Sequence, residues 1–238
     1  MSDRSLRAGV LAAGRGERLR ARPSDLKPLA RIGDETLIEH VLKSMADAGA
    51  SEVVVIINED SQAVRDHVEK SDWPFSLRWI VETTPTSMHS FLRLVEVLAA
   101  DGGDLPFLLS TVDTVTSSKT FANFMEQARA HEAAITLALS SPGDDEKPLL
   151  VRMKTGESRI EAFGEGEYAT AGVYAVRPII LREADAARRD GVDALRKFLQ
   201  RLLDRGYHLA GIPISRSIDV DRPADIAAAE ALLRSARV

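Results

Sequence analysis

The chain has 238 residues, 45% of them hydrophobic and 28% charged, with a net charge of −5 and no cysteine. This composition suits a globular domain and excludes a disulfide framework, thiolate chemistry and a general nucleic-acid-binding surface. No stretch of about 20 apolar residues is present, so no membrane span is expected, and the opening MSDRSLR carries no apolar signal core, which makes the cytoplasm the default compartment.

The expected elements run in order as follows. Residues 8–13 form an apolar strand that ends in a glycine-rich turn. Leu37, Ile38, Val41, Leu42 and Met45 share one helical face, and Gly49 closes that helix. Residues 53–57 (VVVII) are continuously apolar, as in a strand covered on both faces. A polar helix follows near 61–70, then a strand at 76–81 and a Thr/Pro/Ser loop at 82–87. The 88–99 segment is a helix with Phe91, Leu92, Val95 and Leu98 inward. After a turn at 101–104 come a strand at 106–112, a helix at 121–129 and a strand at 133–139. This alternation predicts an α/β fold with a doubly wound, mostly parallel, Rossmann-like sheet.

The texture changes at Ser140. Short strands are expected at 149–153, 158–162 and 169–176. Then come a helix carrying Leu195, Phe198, Leu199 and Leu202, a strand at 208–212, and a closing helix from Pro223. With no linker or repeat, the chain reads as one domain: a nucleotide-binding half, 1–140, and an elaboration of the same sheet, 141–238.

Charge is unevenly placed. Residues 1–31 hold eight basic and three acidic side chains, so that segment is +5 and the remainder −10. The arginines sit beside Gly14 and Gly16, where backbone amides can approach a ligand, and together they suit a small polyanion. The alternative is a solvated loop with arginines at its rim. Two better-known phosphate loops fit poorly. The dinucleotide fingerprint G-x-G-x-x-G has Leu19 in its last position, and Lys27 follows no P-loop glycine. Asp113 stands just past the end of a central strand, where α/β proteins bind ligands; it is also placed to cap the helix that follows. The five histidines show no ligand spacing.

The run LAAGRGERLR (Leu11, Ala12, Ala13, Gly14, Arg15, Gly16, then Arg18 and Leu19), followed by Lys27-Pro28-Leu29, resembles the signature of the nucleotidyltransferases that join a nucleoside monophosphate to a sugar phosphate or phosphoalcohol. LIEHVL, GVYAV and IDVDRPADI match the habits of that family. The resemblance implies that Leu11–Gly14 meet the base and ribose and that the turn from Arg15 to Arg18 holds the β- and γ-phosphates. It further implies that Lys27 neutralises the α-phosphate and that Asp113 and Asp219 hold Mg²⁺. The family usually has Gly before that first aspartate; here it is Val112. Asp221, just before Pro223, is read as a helix cap.

Thr84, Thr86 and Ser87 fall in the loop with which the family reads the base, and their hydroxyls suit cytosine or uracil. Lys147, Thr170 and Gly172 fall in the half that binds the acceptor. The expected partners are an NTP, with CTP first, and a small phosphorylated alcohol such as inositol phosphate or phosphocholine. A hexose 1-phosphate with UTP, dTTP or GTP comes second, and molybdopterin-type acceptors third. A catalytically silent nucleotide-sensing subunit is the rival from another class. A homodimer is compatible with the sequence, which leaves the oligomeric state open.

Overall fold

A computed structural model describes residues 5–14, 16, 19, 25–117, 119–142 and 148–235. The first half alternates strands and helices: β1 (Leu6–Ala12), a short hairpin of β2 (Arg31–Ile32) and β3 (Glu35–Thr36), α1 (Leu37–Asp47), β4 (Ala50–Ile57), α2 (Gln62–Val68), β5 (Ser76–Val81), α3 (Ser87–Ala99) and β6 (Phe107–Thr111). The second half has β7 (Thr114–Val115), α4 (Thr120–Ala128), β8 (Ile135–Ser140), β9 (Leu150–Met153), β10 (Ile160–Phe163), β11 (Tyr168–Val176), α5 (Ala184–Arg189), α6 (Leu195–Asp204), β12 (Leu209–Pro213), β13 (Ile218–Asp219) and α7 (Pro223–Ser235). No helix among the described residues is long and apolar enough to cross a membrane.

The strands β5, β4, β1 and β6 lie side by side and parallel. On the far side of β6 the sheet continues through β11, which runs antiparallel to both β6 and β8, and ends with β12 parallel to β8. The β9–β10 hairpin attaches to the start of β11. The doubly wound, mostly parallel sheet expected from the alternation is therefore present, and β11 joins both halves of the chain in it.

Successive side chains of a strand point to opposite faces, and a strand buried on both faces is apolar throughout. In β4, Val53, Val55 and Ile57 enter one core with α1 and α4, while Val54 and Ile56 enter the other with α3 and α6. This explains the unbroken VVVII. Gly9 in β1 reflects close packing: a Cβ there would lie 2.7 Å from Leu94 Cδ2 of α3 and 2.9 Å from Leu109 Cδ2 of β6. A third, smaller cluster (Ile32, Leu37, Val115, Val220 and Ala229) seats α7 against the β2–β3 hairpin and β7. The hairpin and α5 were not expected from the periodicity, because both are too short to show one. The hairpin ends at Thr36, which caps α1. The Thr36 hydroxyl accepts from the Glu39 amide and the Glu39 carboxylate accepts from the Thr36 amide, a reciprocal capping box.

Candidate active site

The carboxyl ends of β1, β4 and β6 open onto a cleft of about 720 Å³, within the range of small-molecule sites. Leu11, Ala13, Gly14 and Gly16 form one wall, Thr83 to Ser87 another, and Lys27, Asp113 and Asp221 the floor at one end. Ala12 lies within β1, packed in the core. Arg15, Arg18 and Lys147 lie outside the described residues.

Gly16 explains how the loop after β1 returns over Lys27. Its φ is +60°, in the left-handed region that favours glycine, and a Cβ there would sit 2.4 Å from Lys27 Cβ. Lys27 opens a short 3-10 turn, Lys27–Leu29, in which the Ala30 amide donates to the Lys27 carbonyl at 3.0 Å. The lysine is almost entirely buried. Its ammonium donates to Asp113 Oδ2 and to Asp221 Oδ1, each at 2.5 Å. Burial alone depresses an ammonium, but Asp113, with Asp221 and Asp219, outweighs that effect and holds Lys27 above the ordinary lysine value.

Three sequence-distant segments converge here. Asp113 follows β6, where the Val112 amide donates to the Leu11 carbonyl at 3.1 Å and ties the turn to β1. Val112 makes this turn without a positive φ, so the glycine usual in the family is not required here. β7 pairs antiparallel with β13, placing Thr114 opposite Asp219, and the Val220 amide donates to the Asp113 carbonyl at 3.0 Å. As a result, ligand oxygens of Asp113, Asp219 and Asp221 all lie within 4.8 Å of one another.

Two cap readings can be checked. Asp113 does not cap α4, which begins at Thr120 with Lys119 at the cap position. Asp221, read as a cap of α7 with its part in the metal site left open, turns its carboxylate onto Lys27. Asp225 supplies the interaction at that helix start, its carboxylate accepting from the Asp221 amide (2.9 Å) and the Arg222 amide (2.7 Å).

The base-reading loop is internally braced. The Thr84 hydroxyl pairs with Ser90 Oγ, the Thr86 hydroxyl lies 2.8 Å from His89 Nδ1, and Ser87 Oγ accepts from the Leu195 amide at the start of α6. Asn58, buried at the end of β4, donates to the Ala13 carbonyl at 3.3 Å and accepts from Ser61 Oγ at 2.7 Å, holding the loop after β1 in place. Sequence reasoning passed over Asn58 as a site residue. Its place directly after an apolar parallel strand, like that of Gly14 and Asp113, was the available signal.

Asp221 also lines a second, smaller cavity of about 170 Å³, with Asp219, Thr170, Gly172, Ser140, Ser217, Arg216 and Arg222 around it. Gly172 sits where β11 breaks register with β8, between Thr170 and Tyr174. Its φ is +72°, and a Cβ would lie 2.1 Å from Thr114 Oγ1 and 2.6 Å from Thr111 Oγ1. The bulge thus brings β11 against the hydroxyls beside Asp113. Neither arginine was singled out in the sequence: Arg216 belongs to no motif, and in IDVDRPADI attention fell on the aspartates rather than on Arg222.

An open α/β sheet with a glycine turn, a lysine and three carboxylates gathered beside the carboxyl ends of its strands has its polar groups where doubly wound α/β proteins bind their ligands. Residues 8–203 match the MobA-like NTP transferase domain, and the chain belongs to that family. Among its relatives, mannose-1-phosphate guanyltransferase of Yarrowia lipolytica is 28% identical over 182 residues, spanning 72% of this chain and 49% of that protein. The enzyme of the same name from Emericella nidulans is 27% identical over 191 residues, spanning 76% and 52%. The chain thus spans about half the length of these curated relatives. Among solved structures, the inositol-1-phosphate CTP transferase of T. maritima superposes with a TM-score of 0.78 at 20% identity, covering 96% of each chain. A UTP-bound UGPase from Acinetobacter baumannii gives 0.77 at 12% identity, covering 95% of this chain and 92% of that one. At these identities the structural likeness shows the shared fold alone.

Proposed function

We propose that the protein transfers a nucleoside monophosphate from an NTP to the phosphate of a hexose 1-phosphate, with GTP and mannose 1-phosphate as the first pair. The observation that carries nucleotidyl transfer is the Lys27 ammonium held between Asp113 and Asp221 where the two cavities meet. The choice of GTP and mannose 1-phosphate rests on the relatives of that name, and it displaces the CTP and inositol phosphate pair favoured by the sequence alone.

In this proposal the large cleft takes the NTP and the small cavity takes the acceptor. An acceptor phosphate oxygen attacks the α-phosphorus in line, the bond from that phosphorus to the bridging β-oxygen breaks, and pyrophosphate leaves with the electron pair. A phosphate monoester with a second pKa of about 6 is already largely dianionic at neutral pH, so no general base is needed. Lys27 offsets the charge that grows on the α-phosphate oxygens. Arg15 and Arg18 are assigned to the outgoing phosphates by family resemblance, Thr84, Thr86 and Ser87 to the base side, and Thr170 and Gly172, with Lys147, to the acceptor side. The oxygen donors of Asp113, Asp219 and Asp221 suit Mg²⁺ in number and hardness. When bound, the ion neutralises phosphate charge and orients the reacting groups.

CMP transfer to inositol phosphate or phosphocholine is the second candidate, supported by the hydroxyl-rich loop at 83–90. A matrix of four NTPs against phosphorylated acceptors, scored by pyrophosphate release with Mg²⁺, separates the two. GTP with mannose 1-phosphate should be the fastest pair. A preference for CTP with inositol phosphate selects the second candidate, and no release with any pair rejects nucleotidyl transfer.

A further inference from the structure

Asp113, Asp219 and Asp221 crowd their oxygens within 4.8 Å, a costly arrangement for three carboxylates unless a cation lies among them. Lys27 lies on two of them, its ammonium donating to one oxygen of Asp113 and one of Asp221. Lys27 also lines the large cleft, where a triphosphate would offer its ammonium a stronger set of oxygens. The root of the side chain is fixed: the 3-10 turn holds its backbone, and Gly16 allows the loop after β1 to lie close over its Cβ. Four flexible methylenes leave the tip free to exchange partners.

We infer that Lys27 is an internal counter-cation that holds the carboxylate cluster closed to a divalent ion until a nucleotide draws the ammonium away. Metal and nucleotide then bind with positive coupling, because each favours the state in which Lys27 has left Asp113 and Asp221. A free divalent ion meets Asp113 and Asp221 with the ammonium on them, while an ion arriving with the nucleotide meets them without it. The device discourages idle metal loading and ties assembly of the site to the presence of the NTP. It rests on the transferase proposal for the identity of the nucleotide, but its own observables are metal affinities.

The test is Mn²⁺ binding to the purified chain, followed by the paramagnetic resonance of free Mn²⁺, with and without a GTP analogue bearing a non-hydrolysable α,β-methylene link. Without nucleotide, Lys27→Met should bind Mn²⁺ more tightly than the parent, by roughly 5–150-fold. Lys27→Arg, which keeps the charge, should bind as weakly as the parent. The analogue should raise the parent's affinity by a larger factor than that of Lys27→Met, since only the parent has an ammonium to remove. Lys27→Met should also melt lower than the parent in EDTA and recover with Mn²⁺. Lys27→Gln serves in its place if the Met variant does not fold. Equal or weaker Mn²⁺ binding by the neutral variants without nucleotide overturns the inference, as does Lys27→Arg binding as tightly as Lys27→Met. Pyrophosphate release by the parent is scored on the same preparation. Transfer with unchanged Mn²⁺ affinities removes the counter-cation and leaves the transferase; tighter Mn²⁺ binding by Lys27→Met with no transfer from any NTP does the reverse.

Discussion

The two cavities that meet at Asp221 are built by different means. The large one is framed by the ends of parallel strands and by the start of α3, elements whose positions follow from the main core. The small one is framed by a bulge in the antiparallel strand β11, the two-residue strand β13 and the first turn of α7. The first is a consequence of the regular parallel strands; the second depends on an irregularity in an internal strand and on short segments that pack over it.

The largest effects should fall where the cavities join. Lys27→Ala and Asp113→Asn should each lower pyrophosphate release about 10²–10³-fold, the usual cost of removing one charge-stabilising group. Parent-like rates in both would remove these residues from the reaction and with them the shared boundary.

Next come two glycines, one for each cavity. Gly172→Ala forces a side chain into a left-handed position against Thr114 and Thr111. It should cost about 1–3 kcal/mol in urea unfolding and raise KM for the acceptor. Gly16→Ala presses on Lys27 instead and should raise KM for the NTP. If the two variants exchange these signatures, the division between donor and acceptor cavities fails.

Hydroxyl deletions give a finer test. Thr170→Val should raise acceptor KM about 2–10-fold, the worth of one net hydrogen bond, and leave NTP KM unchanged. Ser87→Ala removes the acceptor for the Leu195 amide and should act on NTP KM alone, by a similar factor.

The smallest effect lies away from both cavities and serves as their reference. The Glu35 carboxyl is held down at about 2 by its hydrogen bond to His40, assisted by Lys43 and opposed by burial. A depressed carboxylate stabilises the fold above its unfolded value near 4.5, and that stability fades as pH falls towards 2. Glu35→Gln should therefore cost about 1 kcal/mol at neutral pH, screening by solvent included. The difference between variant and parent should close on acidification from pH 5 to 2, with no change in either KM.

Much of the large cavity was legible in the sequence, because long periodic elements position it. The strand at 76–81 has the bounds expected, and the β4, α3 and β6 segments differ from expectation by a few residues at most. Lys27 and Asp113 followed from motif and strand end together. The small cavity was legible only in pieces. Thr170 and Gly172 were identified and do line it, but β7 and β13 have two residues each, too few for any period to register. The turn of Asp221 towards Lys27 depends on that pairing and on Asp225 occupying the helix start. No spacing rule carries that information, since it arises only when the end of the chain folds back on its beginning.

That return has a consequence for how the site comes into being. Lys27 and Asp221 are 194 positions apart, and the β7–β13 ladder that brings Asp219 beside Asp113 is, among the described residues, the strand pairing that lies furthest along the chain. A nascent chain that has emerged only as far as β12 already carries most of the lining of the large cleft, the lysine and one carboxylate, but not the other two. The three-carboxylate cluster therefore forms only once the segment from β13 to Asp221 has folded back, and a fragment that stops at β12 carries one of its three acidic groups.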